Sequence, residues 1–246
     1  MLHGRSASIT AFFPAYNDVH TIASLVDRVE PILREMTEDY EVVVVDDGST
    51  DGTGALLNEF ASRRRHLRVI HHPVNRGYGG ALRSGFREAT KELVFYTDGD
   101  GQYDVAELRD LLPLLRPDVD VVNGYKIARA DTRHRVLLGA VYNRVASAAF
   151  GLPIRDVDCD FRLIRTRALR GIELECSSGA IGVELVHKLH ASGAVFAEAP
   201  VRHYQRRHGR SQFFTPSRVL HTAFDLVGLW AAHVVSRLPP RLAERA

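Results

Sequence analysis

The sequence predicts an α/β fold: a Rossmann-like, mostly parallel sheet flanked by helices. Apolar, β-branched runs alternate with stretches of helical spacing from residue 9 to residue 201, the pattern of repeated β-α-β units. The run Val42-Val43-Val44-Val45 is apolar without alternation, as expected of a central strand covered on both faces. Acid-bearing polar turns follow the first, second and fourth of these runs, where such sheets place their ligands.

In chain order, residues 9–13 read as a short buried strand stopped by Pro14. Residues 19–36 read as a helix with Ile22, Leu25, Val26, Val29, Ile32 and Leu33 on one face. A strand at 41–46 leads into a turn at 46–53, with cap candidates from Ser49 to Asp51, then a helix to about Ser62 and a strand at 67–71. A glycine-rich loop precedes a helix at 81–90, followed by a strand at 93–95, a helix at 105–115 and a strand at 119–124. Residues 125–135 carry no period. A helix at 136–150, a strand at 161–164, a helix at 181–191 and a strand at 195–201 complete the domain, read as residues 1–215. Residues 216–246 read as a C-terminal amphipathic helix and tail.

Composition excludes several classes. A net charge of +2 on 246 residues is too small to argue for nucleic acid. Cys159 and Cys176 have no spacing for zinc or for a disulfide framework, which matches a reducing cytosol. Residues 219–235 are interrupted by His221, Asp225 and His233 and fall short of the roughly 20 clean residues that span a bilayer. The opening residues lack a signal-peptide core, so the expected location is cytoplasmic.

The chemistry concentrates in Tyr96-Thr97-Asp98-Gly99-Asp100-Gly101-Gln102-Tyr103, where an apolar run spills into a turn. Two carboxylates and an amide oxygen at alternate positions, without His or Cys, suit Mg2+ or Mn2+ in a shell completed by water and substrate phosphates. A plain polar turn is the competing reading. Pro14 to Asp18 and Asp46 to Ser49 occupy the matching position after two other strands, so three acid-bearing strand ends share one crevice. The Gly77-Tyr78-Gly79-Gly80 run invites comparison with a dinucleotide fingerprint, but it follows the third strand and lacks the G-x-G-x-x-G spacing. Arg76 and Ala81 line a nucleotide crevice there, or the glycines mark a close helix-to-sheet packing point.

Six stretches, in order, carry a resemblance: 14–18, 45–53, 75–81, 98–102, 156–162 and 206–211. Together they are similar to the family 2 glycosyltransferases of GT-A fold, and among them to the dolichol- or polyprenyl-phosphate sugar synthases. The resemblance implies an inverting, metal-dependent hexosyltransferase using a UDP- or GDP-sugar donor. It gives Pro14, Tyr16, Asp18 and Asp47 to the nucleoside, Asp98 and Asp100 to diphosphate and metal, Gln102 to the metal, and Arg206 to the diphosphate. Asp46, Gly48, Ser49, Gly77 and Gly99 fall in the matched donor stretches, and Arg162 and Ser211 in those assigned to substrate. Asp18 and Gly99 depart from the family's usual Glu and Ala. Asp160 stands where many members have Gly and places an extra carboxylate near the acceptor.

Lys126, Arg129, Arg133 and Arg135 form a basic cluster suited to an acceptor phosphate. A lipid phosphate needs no strong base, whereas a hydroxyl acceptor does, and Asp156 is the first candidate, followed by Asp158 and Glu184. Asp156 as a cap or ion-pair partner is the competing reading. Three functions follow: transfer to a polyprenyl phosphate at the cytoplasmic membrane face, transfer to a soluble hydroxyl acceptor, or a silent nucleotide- or membrane-binding module. The C-terminal helix must bury an apolar stripe on its own domain, in a homodimer or in a membrane interface. The expectation is the membrane surface, with Trp230 at headgroup depth.

Overall fold

The computed structural model describes residues 7–127, 133–206 and 215–234, and between 133 and 138 the backbone alone. Seven strands, β1 (Ile9–Ala15), β2 (Tyr40–Asp46), β3 (Leu67–His71), β4 (Leu93–Thr97), β5 (Val121–Ile127), β6 (Phe161–Arg165) and β7 (Phe196–Arg202), form one sheet in the order β3-β2-β1-β4-β6-β5-β7. All neighbours are parallel except β6, which runs antiparallel to both β4 and β5. The helices are α1 (Ile22–Met36), α2 (Thr53–Ser62), α3 (Gly77–Glu88), α4 (Leu108–Leu111), α5 (Arg133–Phe150), α6 (Thr166–Leu169), α7 (Ile181–Ala191) and α8 (Pro216–His233).

The unalternating apolar strands serve two cores. Ile9, Ala11 and Phe13 of β1, with Val42 and Val44 of β2, pack against the apolar face of α1. Phe12, Val43 and Val45 point the other way, onto Ala81 and Leu82 of α3 and Ile181, Leu185 and Leu189 of α7. Burial on both faces is why period-2 alternation is missing from these strands.

Several boundaries differ from the expected ones for local reasons. Pro14 does not stop β1, because pairing with β4 ends at Phe12–Tyr96 while pairing with β2 continues to Ala15–Asp46; a residue without an N–H is tolerated where one edge is free. α3 begins at Gly77, four residues earlier than expected. The helix expected over 105–115 is broken into 3-10 turns at Val105–Glu107 and Leu112–Leu114 on either side of α4, and Pro113 lies in the second, where its missing donor interrupts an α ladder. α8 carries two apolar faces instead of one stripe. Leu226, Leu229 and Trp230 join Ala146 and Phe150 of α5 and Val183 and Val186 of α7 in a third core. Leu220, Phe224 and Val227 on its other side are 60%, 74% and 65% exposed. Among the described residues, no helix is long and apolar enough to cross a membrane.

Candidate functional site

A crevice of about 830 Å³ opens at the carboxyl ends of β1, β2 and β4, a size suited to a nucleotide-scale ligand. Pro14, Tyr16, Asp18 and Asp47 line one end, Asp98, Gly99, Asp100 and Gln102 the centre, and Lys126, Tyr142, Asp158 and Ser178 the other end. Arg76, Gly77 and Ala81 also line it, as do Arg206 and, from α8, Arg218, His221 and Thr222.

At the first end Asp47 is held rigidly. Its Oδ1 meets His72 Nδ1 at 2.6 Å and accepts from Arg76 N at 2.8 Å, while His72 Nε2 meets Ser84 Oγ at 2.9 Å. Asp18 Oδ2 accepts from Tyr16 N at 3.0 Å, and burial pushes its carboxyl up to about 6. Three donor-stretch residues do not reach the crevice. Asp46 is 4% exposed and spends Oδ1 on Ser49 N and Oδ2 on His71 Nδ1. Ser49 Oγ accepts from Asn17 N. Gly48, at φ +73°, has backbone of Val74 and Asn75 2.7 Å from where a Cβ would stand. These three build the turn that presents Asp47.

The glycine-rich run resolves as a packing point. A Cβ on Gly79 would fall 2.1 Å from Cys176 O, and Gly79 N donates to Ser177 O at 2.9 Å. That donor at the start of α3 is therefore not free for a phosphate, which removes the dinucleotide comparison. Tyr78, given no role in the sequence, lies on this turn and donates from its hydroxyl to Asp98 Oδ1 at 2.8 Å.

The centre is an acidic cluster. Burial first, then the charges of Asp160 and Asp100, raise the Asp98 carboxyl well above the usual range. Asp100 Oδ1 accepts from Gln102 N at 2.9 Å, its Oδ2 is ion-paired with Arg206 Nη2, and Arg206 Nε reaches Gln102 Oε1 at 3.4 Å. A guanidinium on two of the three expected metal ligands shows that the position draws positive charge. No group of three His, Cys, Asp or Glu side chains that could hold a metal ion is found among the described residues. Two carboxylates and an amide oxygen fit a hard cation whose shell is finished by phosphate and water.

At the end expected to take the acceptor the structure corrects three expectations. Asp156 is 5% exposed, accepts from Lys126 N at 2.9 Å and Asn143 Nδ2 at 3.1 Å, and does not line the crevice. Its carboxylate ties β5 to α5. Glu184 is fully buried and accepts from Glu175 N, Cys176 N and Lys188 Nζ. Arg162 is also fully buried, bonded to Asn123 Oδ1, Tyr96 Oη, Asp160 Oδ1 and Val157 O, so it braces the loop before β6 and touches no ligand space. Lys126 does line the crevice, with Nζ bonded to the carbonyl and carboxylate of Asp158. Arg129 and Ser211 lie outside the described residues, as do the Arg133 and Arg135 side chains. The contribution of α8 was not foreseen, since nothing in its own period points to a site formed some 120 residues earlier.

The model of the family described as glycosyl transferase family 2 matches residues 10–172, from β1 through α6. The chain belongs to this family. Its fold is GT-A: a glucosyl-3-phosphoglycerate synthase from Mycobacterium tuberculosis, solved with Mn2+, UDP and phosphoglyceric acid, superposes with TM-score 0.70 at 18% identity, over 92% of this chain and 78% of that one. A mannosyltransferase from Pyrobaculum calidifontis, solved with GDP-Man and Mn2+, gives TM-score 0.67 at 24% identity, over 98% of this chain and 68% of that one. In sequence, this chain is 29% identical over 226 residues to an undecaprenyl-phosphate 4-deoxy-4-formamido-L-arabinose transferase from Pseudomonas fluorescens (strain Pf0-1), over 89% of this chain and 64% of that relative's length.

Proposed function

We propose that this family 2 glycosyl transferase moves a sugar, with inversion, from a UDP- or GDP-sugar to a polyprenyl phosphate at the cytoplasmic face of a membrane. The observation that carries the reading is one crevice in which an acidic end with Asp18 and Asp47, the Asp98–Asp100–Gln102 oxygen set and an end where Lys126 and Arg218 stand with Asp158 follow one another. The Pseudomonas relative is named for an undecaprenyl-phosphate acceptor, and the two solved relatives hold Mn2+ with UDP or GDP-Man.

Mg2+ or Mn2+ held by Asp98, Asp100 and Gln102 would neutralise charge on the departing diphosphate. The remaining work falls to the chain. Asp18 and Asp47 accept hydrogen bonds from the nucleoside, and Arg206, leaving Asp100, pairs with the diphosphate. A phosphate oxygen of the acceptor attacks the anomeric carbon as the bond to the donor diphosphate breaks. A phosphate monoester is largely dianionic at neutral pH, so no general base is required, in keeping with Asp156 lying outside the crevice. A hydroxyl acceptor is the second reading, favoured by Asp158 and Asp160, which line the crevice where a base would stand.

Residues 1–215 then supply most of the catalytic unit, α8 (Pro216–His233) completes its crevice with Arg218, His221 and Thr222, and the same helix seats it on lipid. Arg218, His221 and Thr222 face the crevice while Leu220, Phe224 and Val227 face outward, an arrangement suited to a helix lying in the interface. A homodimer through the same face is the competing use, distinguished by the mass of the full chain in solution. A screen of UDP- and GDP-sugars against a short polyprenyl phosphate, with and without EDTA and read by mass spectrometry, tests the function. Glycosylated lipid phosphate formed only with free divalent metal is expected. Transfer to hydroxyl acceptors alone would select the second reading.

A further inference from the structure

Asp160 lines the crevice and has no part in transfer to a lipid phosphate as described above. It arrives there through strand direction. Because β6 is antiparallel to β4 with Phe161 opposite Thr97, the residue before β6 stands beside the residue after β4. Asp160 and Asp98 are therefore neighbours on adjacent strands, and the Tyr78 hydroxyl touches both carboxyls. On its other side Asp160 Oδ1 accepts from Arg162 Nη1 at 3.1 Å. Arg162 is itself immobilised by Asn123, Tyr96 and Val157, so the aim of the Asp160 carboxyl is set from beneath.

An ionised carboxyl offers about four acceptor positions and no donor. Arg162 fills one, and the single phenolic proton of Tyr78 can serve only one of two carboxyls at a time. What is left is acceptor capacity facing the crevice. Such a group receives hydroxyls, which can donate to it. Its place in the sheet says which hydroxyls. The strand order is β2-β1-β4-β6, so a donor with its nucleoside at the ends of β2 and β1 and its diphosphate at the end of β4, as in the proposed function, would bring its next group, the sugar, to the start of β6.

We propose that Asp160 is a specificity residue that accepts a hydrogen bond from a hydroxyl of the transferred sugar. The inference rests on the crevice being a nucleotide-sugar site. A carboxylate built to receive a hydroxyl discriminates strongly against sugars lacking it, because the buried acceptor is then left unpaired.

The test is binding without acceptor, by calorimetry in Mn2+, of UDP, UDP-glucose, GDP and GDP-mannose to the full chain and to Asp160→Asn and Asp160→Glu. The unsubstituted chain is expected to hold one nucleotide sugar more tightly than its nucleoside diphosphate. Asp160→Asn should weaken that nucleotide sugar roughly tenfold or more and leave the diphosphate within about twofold. Asp160→Glu keeps the charge beside Arg162 but moves the oxygens by one methylene, and should also lose sugar affinity. Retained diphosphate affinity shows that the nucleoside end is folded in each variant. Equal weakening of both ligands, or unchanged nucleotide-sugar affinity with a loss confined to kcat, overturns the proposal. Failure of the unsubstituted chain to bind any of the four overturns the nucleotide-sugar reading beneath it.

Discussion

Asp100 and Arg206 share an ion pair, so a divalent cation held by Asp100, as proposed, would compete with a guanidinium for one carboxylate oxygen. Asp100→Ala should abolish metal-dependent turnover with an unchanged thermal melt, since the side chain serves the crevice and packs in no core cluster; near-normal turnover would remove Asp100 from the metal set. Arg206→Ala has two opposed effects. Donor binding should weaken by about 1.5–3 kcal/mol through the lost charge-assisted contact, while Mn2+ alone, followed by electron paramagnetic resonance, should bind more tightly because Asp100 is released. Weaker binding of both would mean that the arginine supports the site instead of competing for it. Asp18 provides a pH test. Its folded carboxyl titrates near 6 because of burial, above its unfolded value, so its ionisation costs stability that accumulates from about pH 4 to 6 and persists above. Asp18→Asn should therefore raise stability at pH 7.5, by of order 2 kcal/mol, and change little at pH 4. A stabilisation equal at both pH values would point to packing instead of charge. The strand-end acids were legible because a residue just past a parallel strand has one place to go. Asp156 and Arg162 were not, because whether a loop side chain faces ligand or core depends on partners such as Asn143 and Asn123, distant in sequence.

At the scale of elements, periodicity located most helices because their apolar faces are continuous, as in α1 and α7. It failed where a helix serves more than one surface. The first half of α8 turns Arg218, His221 and Thr222 to the crevice, and its second half turns Leu226, Leu229 and Trp230 to α5 and α7. The apolar residues left outside therefore form a second face that a single moment does not separate from the first. This division makes the membrane reading testable without unfolding the domain. Phe224 is 74% exposed, so Phe224→Asp should leave the melting temperature within the range of ordinary surface substitutions, about 0.5 kcal/mol. The same variant should lose sedimentation with anionic vesicles at low salt. Full vesicle binding by the variant would exclude this face as the contact.

At the scale of the molecule, the sequence predicts a largely parallel sheet but carries no signal for the direction of β6, because antiparallel and parallel buried strands have the same composition. That one reversal brings Asp160 beside Asp98 and lets Val157, Asp158 and Asp160 meet the crevice from the far side. The crevice is thus divided, with the end proposed for the nucleoside built from β1, β2 and α3 and the end proposed for the acceptor shared with α8, which bears on what survives truncation. Ending the chain after Thr215 removes Leu229 and its neighbours from the third core and Asp225 from Ser178, whose N and Oγ it receives at 3.3 Å and 2.7 Å. Uncovering these apolar side chains at roughly 25 cal/mol per Å² should lower the melting temperature clearly. Nucleoside-diphosphate binding should persist, since Asp47, His72 and Ser84 form a buried chain well within residues 1–215. Transfer to the lipid acceptor should be lost. A truncated chain that melts like the full one would show that α8 adds no core, and one that folds but binds no nucleotide would show that the two ends of the crevice are not separable.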